Sequence, residues 1–175
     1  MNFHPIENSS DTAQLYVPIL MDMYKPKKVL DLGCNVGWWL HWFMKSGVKD
    51  IMGIDGDNML QGLKIPKNNY IVADLTKPLY LYKKFDLLIC IEVAEHLDEK
   101  YADILIKNIV MHSNTVFWSA ASPNQGGYHH VNEQPMEYWI KKFEKHGYKA
   151  RILCDVLPVA PHDYYRKNAI EFIKK

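Results

Sequence analysis

Cysteine is scarce in this chain. Cys34, Cys90 and Cys154 are the whole supply, and no two of them form a C-x-x-C pair. Such a set offers no disulfide framework, so reduced thiols in a cytoplasmic, intracellular setting are the simplest account. Long apolar runs are absent too. Although 48% of residues are hydrophobic, no stretch reaches the ~20 uninterrupted apolar residues that a membrane span needs. The start, Met1-Asn-Phe-His-Pro, has no basic region leading into an apolar one, and the expectation is that it is no secretory signal. Charge of one sign is also missing. Lys and Arg total 21 against 20 Asp and Glu, a net +1, and basic residues gather only in pairs such as Lys83-Lys84 and Lys141-Lys142. A nucleic-acid partner usually shows a basic stripe, so that class is weakened but not excluded. No repeat, low-complexity tract or linker divides the 175 residues, which suit one domain with a sizeable core. A dinucleotide fingerprint G-x-G-x-x-G is the last absentee.

In its place stands Lys28-Val-Leu-Asp-Leu-Gly-Cys-Asn-Val-Gly37, a short apolar strand with an acid and turn residues, running straight into a helical pattern from Trp38 to Lys45. Such a unit presents backbone N–H groups and a carboxylate to a nucleotide-like ligand at the strand's carboxyl end. Only Gly33 and Gly37 are glycine, with Asn35 between them. Asn tolerates the left-handed backbone better than most residues, so the tight turn stays feasible. Without the central glycine a pyrophosphate packs poorly. Asp31 instead suits a ligand bearing an amine and no phosphate.

Strand signals fall at 28–32, 51–55, 70–74, 85–92, 115–120, 150–157 and 166–173, and helical patterns at 12–23, 38–46, 99–112 and 135–146. Val- and Ile-rich runs that each lead into a helix or turn predict a parallel sheet covered on both faces. No helical pattern separates the last two strands, which predicts a hairpin. The result is an α/β fold, mostly parallel, with an antiparallel edge. Aromatic residues are plentiful, and Trp38, Trp39 and Trp42 on one helix are read chiefly as packing. Four consecutive strands end in acids: Asp31, Asp55, Asp74 and Glu92. Their recurrence at one edge marks the rim where ligands bind in such sheets.

These residues resemble motif I of the class I S-adenosylmethionine-dependent methyltransferases, acid-x-Gly-x-Gly-x-Gly, with Asn35 in place of the middle glycine. The resemblance implies a Rossmann-like, seven-stranded methyltransferase sheet and S-adenosyl-L-methionine as cofactor. It places Asp31, Gly33, Cys34, Asn35 and Gly37 around the amino-acid moiety, Asp55 at the ribose hydroxyls, and Asp74 with Leu75 near the adenine. Asp57 and Asn58 are neighbours of that site. Residues 1–27 become a segment closing over the cofactor, with Gln14 and Tyr16 as candidates, 28–97 the cofactor half and 98–175 the acceptor side.

After the fourth strand come Glu92, Glu95 and His96, at i, i+3 and i+4. If a helical turn starts there, all three share one face. Two carboxylates and an imidazole so placed repel or share protons unless a cation joins them. His129-His130, in the loop after the fifth strand, supplies further imidazole. A mixed oxygen and nitrogen set suits a divalent ion with open positions, Mg²⁺ or Mn²⁺ or another first-row metal. The cluster resembles a subset of class I O-methyltransferases in which Glu-x-x-Glu-His and a later His hold a divalent ion, among them the small-RNA 3′-terminal 2′-O-methyltransferases and ubiquinone-pathway enzymes. It implies Glu92, Glu95, His96 and His130 as ligands, with the register between His129 and His130 open. The alternative is that His96 merely packs against the next helix.

With an ion present, a bound hydroxyl loses its proton more readily and its oxygen is fixed for attack. The loop histidine that is not a ligand, His129 or His130, takes that proton, beside Glu95. A vicinal diol suits one ion, so ribose ends and hexoses both qualify as acceptors. Neutral charge and the aromatic surplus favour a carbohydrate or glycan over an RNA terminus. His130, Asn132, Glu133 and Gln134 precede Pro135, where Asn132 or Gln134 either cap the next helix or line the acceptor wall. Residues 126–139 also bear a loose resemblance to small methyltransferases of viral and phage surface glycans. The expectation is a metal-dependent O-methyltransferase of a sugar hydroxyl. A metal-independent methyltransferase of a small molecule or peptide, an RNA 2′-O-methyltransferase and a non-catalytic cofactor-binding module stay open beside it.

Overall fold

The computed structural model describes residues 8–161 and 163–175. Residues 1–7, which include the start expected to be no secretory signal and part of the expected covering segment, lie outside the described residues. No described helix is long and apolar enough to cross a membrane.

Seven strands form one sheet: β1 (Lys28–Leu32), β2 (Asp50–Asp55), β3 (Tyr70–Val72), β4 (Leu87–Ile91), β5 (Thr115–Ser119), β6 (Tyr148–Ile152) and β7 (Ile170–Lys174). Their order is β3-β2-β1-β4-β5-β7-β6, with β1 to β5 parallel and β7 antiparallel to both neighbours. This is the expected mostly parallel, Rossmann-like methyltransferase sheet with an antiparallel carboxyl-terminal edge. The chain winds from β1 outward to β3, then returns to β4 on the other side of β1. The carboxyl ends of β1 and β4 therefore flank the switch point where such sheets bind ligands.

Alternation of side chains explains why these strands read as unbroken apolar runs. Leu30, Leu88, Cys90 and Trp118 enter one core cluster, while Val29, Leu87, Ile89 and Phe117 enter the other. The second cluster packs under α1 (Asn8–Tyr24) and α2 (Trp38–Lys45), the first under α3 (Ala102–His112) and α4 (Met136–Glu144). Trp39 of α2 and Trp139 of α4 each bury a large ring there, as expected of aromatics on a helix that faces a sheet.

The structure departs from the sequence reading at its edges. β3 stops at Val72, so Asp74 lies beyond the strand in a turn of its own. β6 begins at Tyr148 and ends at Ile152, short of residue 157. The last two strands are not joined by a plain hairpin: α5 (Tyr164–Lys167) stands between them, and β7 begins only at Ile170. Asp163 causes this. Its carboxylate pairs with Arg166 three residues on at 2.6 Å and with Lys167 four residues on at 3.2 Å, which closes a helical turn.

Candidate active site at the carboxyl edge of the sheet

The turn from β1 into α2 is drawn over β2 by two backbone bonds, from Gly33 N–H (2.7 Å) and Cys34 N–H (3.1 Å) to the Ile54 carbonyl. Gly33, Asn35 and Gly37 all have left-handed backbone, with φ of 80°, 49° and 88°. Asn35 thus takes the conformation that its side chain makes tolerable. Space matters as much as torsion. A Cβ on Gly33 would lie 2.2 Å from Cγ2 of Val93, and one on Gly53 would lie 2.7 Å from Sγ of Cys34.

Asp31 is buried beneath this turn, and its Oδ2 has no hydrogen-bond partner. Burial, then the nearby Asp55 carboxylate, hold its pKa well above the ordinary value. A buried acid with one oxygen unpartnered beside a glycine turn fits an incoming ammonium group. Asp55 ends β2 and accepts from Asn35 N–H at 2.7 Å and Asp57 N–H at 3.0 Å, while burial raises its pKa. Asp57 and Asn58 are exposed just beyond it.

The other expected cofactor residues are placed differently. Asp74 is exposed and accepts from the N–H and hydroxyl of Thr76, which lower its pKa. Leu75 is buried in the core. Gln14 is exposed on α1. Tyr16 is a correction: it is fully buried, packs edge-on against Trp39, and donates its hydroxyl to the Pro158 carbonyl at 3.1 Å. Helix packing uses up both ends of that side chain, so it is not a cofactor contact.

On the far side of the switch point, Glu92 follows β4 with left-handed backbone (φ 53°), and a 3₁₀ turn covers Ala94–His96. The expected single helical face is therefore broken. Glu92 precedes the turn, and its carboxylate accepts from the Ser119 hydroxyl and from Gln125 Nε2 (2.9 Å). Gln125 Oε1 accepts in turn from Asn168 Nδ2 (2.7 Å), and Asn168 Oδ1 accepts from the Ser122 hydroxyl (2.8 Å).

Glu95 is fully buried, and its carboxylate lies by the Glu92 carboxyl and the backbone N–H groups of Glu95 and Ala121 without completing a well-formed hydrogen bond. Burial, reinforced by the Glu92 carboxylate, lifts its pKa well above the ordinary value, and burial likewise raises Glu92. One ligand atom from each of Glu95, His96 and His130 lies within 4.8 Å of the other two. The two rings meet edge-on at 5.0 Å. A buried carboxylate flanked by two imidazoles fits a divalent ion. Glu92 stands outside this trio.

The loop that brings His130 here is held by Glu95 itself, whose backbone carbonyl accepts from Val131 N–H (2.9 Å) and Asn132 N–H (3.1 Å). His129 is exposed with φ 58°, and its carbonyl oxygen lies 3.3 Å from His96 Nδ1. Of the two loop histidines, His130 faces the acid and His129 faces outward. Asn132 is buried and donates to the Ala94 carbonyl at 3.3 Å. Sequence reasoning passed over Ser119, Gln125 and Asn168, which carried no motif signal. Glu133 had one, its place three residues after His130, and was read only as part of a polar segment.

A family model described as a methyltransferase domain matches residues 13–115. A curated relative, the small RNA 2′-O-methyltransferase of Xenopus tropicalis, is 31% identical over 112 residues, a match covering 51% of this chain and 30% of that protein. The match thus spans less than a third of the relative's length. Among solved structures, the methyltransferase domain of bacterial CtHen1-C superposes with a TM-score of 0.72 at 22% identity, covering 95% of this chain and 98% of its own. DesVI of Streptomyces venezuelae gives 0.76 at 11% identity, covering 97% and 94%. The sugar N-methyltransferase KedS8 of a Streptoalloteichus species gives 0.72 at 12%, covering 94% and 87%.

Proposed function

Since this chain belongs to the methyltransferase domain family, we propose that it moves the methyl group of S-adenosyl-L-methionine to a sugar hydroxyl held by a divalent ion. One observation carries the reading: a fully buried Glu95 carboxylate that completes no well-formed hydrogen bond, beside His96 and His130 at the carboxyl edge of the sheet. When bound, the cofactor supplies an electrophilic methyl on a sulfonium, and Mg²⁺ or Mn²⁺ supplies positive charge that lowers a hydroxyl's pKa.

The chain's own groups divide the remaining work. Asp31 pairs with the cofactor's amine, which relieves the cost of burying its unpartnered oxygen. Gly33, Cys34, Asn35 and Gly37 shape the turn around that end. Asp55 keeps lone pairs for ribose hydroxyls, while Asp57 and Asp74 border the base. Glu95, His96 and His130 hold the ion, and Glu92, fixed by Ser119 and Gln125, adds negative charge behind them. Because the His129 ring faces outward and only its carbonyl meets His96, the proton leaving the acceptor oxygen passes to solvent water.

The acceptor is a vicinal diol. The Xenopus relative favours the ribose 2′-hydroxyl of an RNA over a hexose. With a net charge of +1, contact with a strand's end suits this chain better than contact along its length. The test is transfer of labelled methyl from S-adenosylmethionine to a short RNA, with Mn²⁺ or with EDTA. Label should enter the oligonucleotide with a 2′,3′-diol end, vanish when that end is 2′-deoxy, and vanish with EDTA. Transfer unaffected by EDTA overturns the ion, and label entering a hexose glycan instead moves the acceptor to carbohydrate.

A further inference from the structure

Glu133 does more than border the loop. Its Oε1 accepts from Gly126 N–H at 2.7 Å and lies 2.9 Å from His130 Nδ1, while Oε2 accepts from Asn124 N–H at 2.8 Å. The side chains of His130 and Glu133 are only 12% and 18% exposed, so water competes poorly for this contact. Both of its oxygens thus already accept from backbone N–H groups, which suits a carboxylate and not a protonated carboxyl. A carboxylate can only accept, so the proton between the two groups sits on Nδ1 of the ring.

The other ring nitrogen, Nε2, then carries a lone pair in the neutral imidazole. Its flank is open for a specific reason: a Cβ on Gly127 would lie 2.4 Å from Nε2. Asn124 and Gly126 have left-handed backbone, with φ of 69° and 70°, and the N–H groups of both point at the same carboxylate. One side chain thus fixes the turn, the ring and the ring's proton.

We propose that Glu133 is a positioning residue for the divalent ion, fixing His130 in the tautomer whose Nε2 is the ligand and holding the turn that carries the ring. This rests on the ion reading above. Carboxylates behind metal-bound histidines orient the ring and raise its basicity, and losing one typically weakens metal affinity about 10–100-fold.

The experiment is calorimetric titration of the purified protein with Mn²⁺, alongside a separate titration with S-adenosylhomocysteine. Glu133→Ala should weaken Mn²⁺ binding about 10–100-fold and leave S-adenosylhomocysteine affinity within about twofold. Glu133→Gln, which keeps an acceptor oxygen but no charge, should fall between. Gly127→Ala should weaken Mn²⁺ binding by pushing the His130 ring aside, with Glu133 and the three ligand side chains all retained. A residue that merely braced the loop would shift melting temperature without a selective loss of Mn²⁺. Nitrogen-15 spectra of histidine-labelled wild type, with His130 assigned by its loss in His130→Gln, provide a readout independent of the variants' folding. They should show the Nδ1–H tautomer at a pH where the ring is neutral. Unchanged Mn²⁺ affinity in Glu133→Ala, or an Nε2–H tautomer in wild type, overturns the proposal and leaves the ion reading standing. Wild type that binds no Mn²⁺ overturns both.

Discussion

Gly33 carries the tightest constraint at the level of single residues. It combines left-handed backbone with a neighbouring valine methyl 2.2 Å from where a Cβ would stand. Gly33→Ala should therefore cost roughly 2–4 kcal/mol in strain and overpacking, read as a lowered melting temperature, and calorimetry should show S-adenosylhomocysteine binding abolished. Asn35→Gly keeps the same torsion available and should stay within about 1 kcal/mol of wild type. Glu95 makes the opposite case. Its carboxylate completes no well-formed hydrogen bond and faces the Glu92 carboxylate, so Glu95→Gln should leave the ion-free protein at least as stable. Turnover and Mn²⁺ binding should fall to background while S-adenosylhomocysteine affinity is nearly unchanged. Equal loss of both affinities would count against a role on the acceptor side.

Among the elements, α1 is tied to the antiparallel edge by one polar clamp. Tyr24 donates its hydroxyl to Glu171 on β7 at 2.6 Å, and Arg151 on β6 donates to the same carboxylate at 2.9 Å. Tyr24→Phe should cost about 1.5 kcal/mol, the usual loss of a hydrogen bond to a charged group, measurable by denaturant unfolding. This clamp spans 147 residues of chain, and that distance explains why the sequence did not reveal it. What was legible lies close together: the β1 strand, the turn at Gly33 to Gly37, and Asp55 at the end of its strand. Each depends on a few neighbours and on the alternation that sends Val29 and Leu30 to different cores. What was not legible depends on remote partners. The face shared by Glu92, Glu95 and His96 was inferred from helical spacing, but Ser119 and Gln125 hold Glu92 ahead of a 3₁₀ turn. The strand expected over 166–173 loses Arg166 and Lys167 to α5, because the i, i+3 and i+4 pairing of Asp163 outweighs a strand-like run.

Across the whole molecule, two populations of acids oppose each other. Asp31, Glu92 and Glu95 have folded pKa values raised by burial. Their contribution to stability is complete below the unfolded value of about 4 and is lost as pH rises through the folded values. Asp74, Asp103, Glu133 and Asp163 are lowered by hydrogen bonds and cations. They contribute above the unfolded value and lose that contribution as pH falls through the folded ones. Melting temperature against pH should therefore pass through a maximum in mild acid for the ligand-free protein. Mn²⁺ with S-adenosylhomocysteine should raise the neutral side of the curve most, because both favour ionised forms that are otherwise costly. A profile whose acid and neutral limbs rise equally with ligands would contradict this.

The contact between Gly33 and Val93 has a last consequence. Val93 touches the loop for the methyl donor, and its neighbours Glu92 and Glu95 belong to the acid pair. Val93 is thus packed against Gly33 on one side and joined through the backbone to Glu92 on the other. A shift of the glycine turn presses on that valine, so filling either end of this rim should be felt at the other through one side chain.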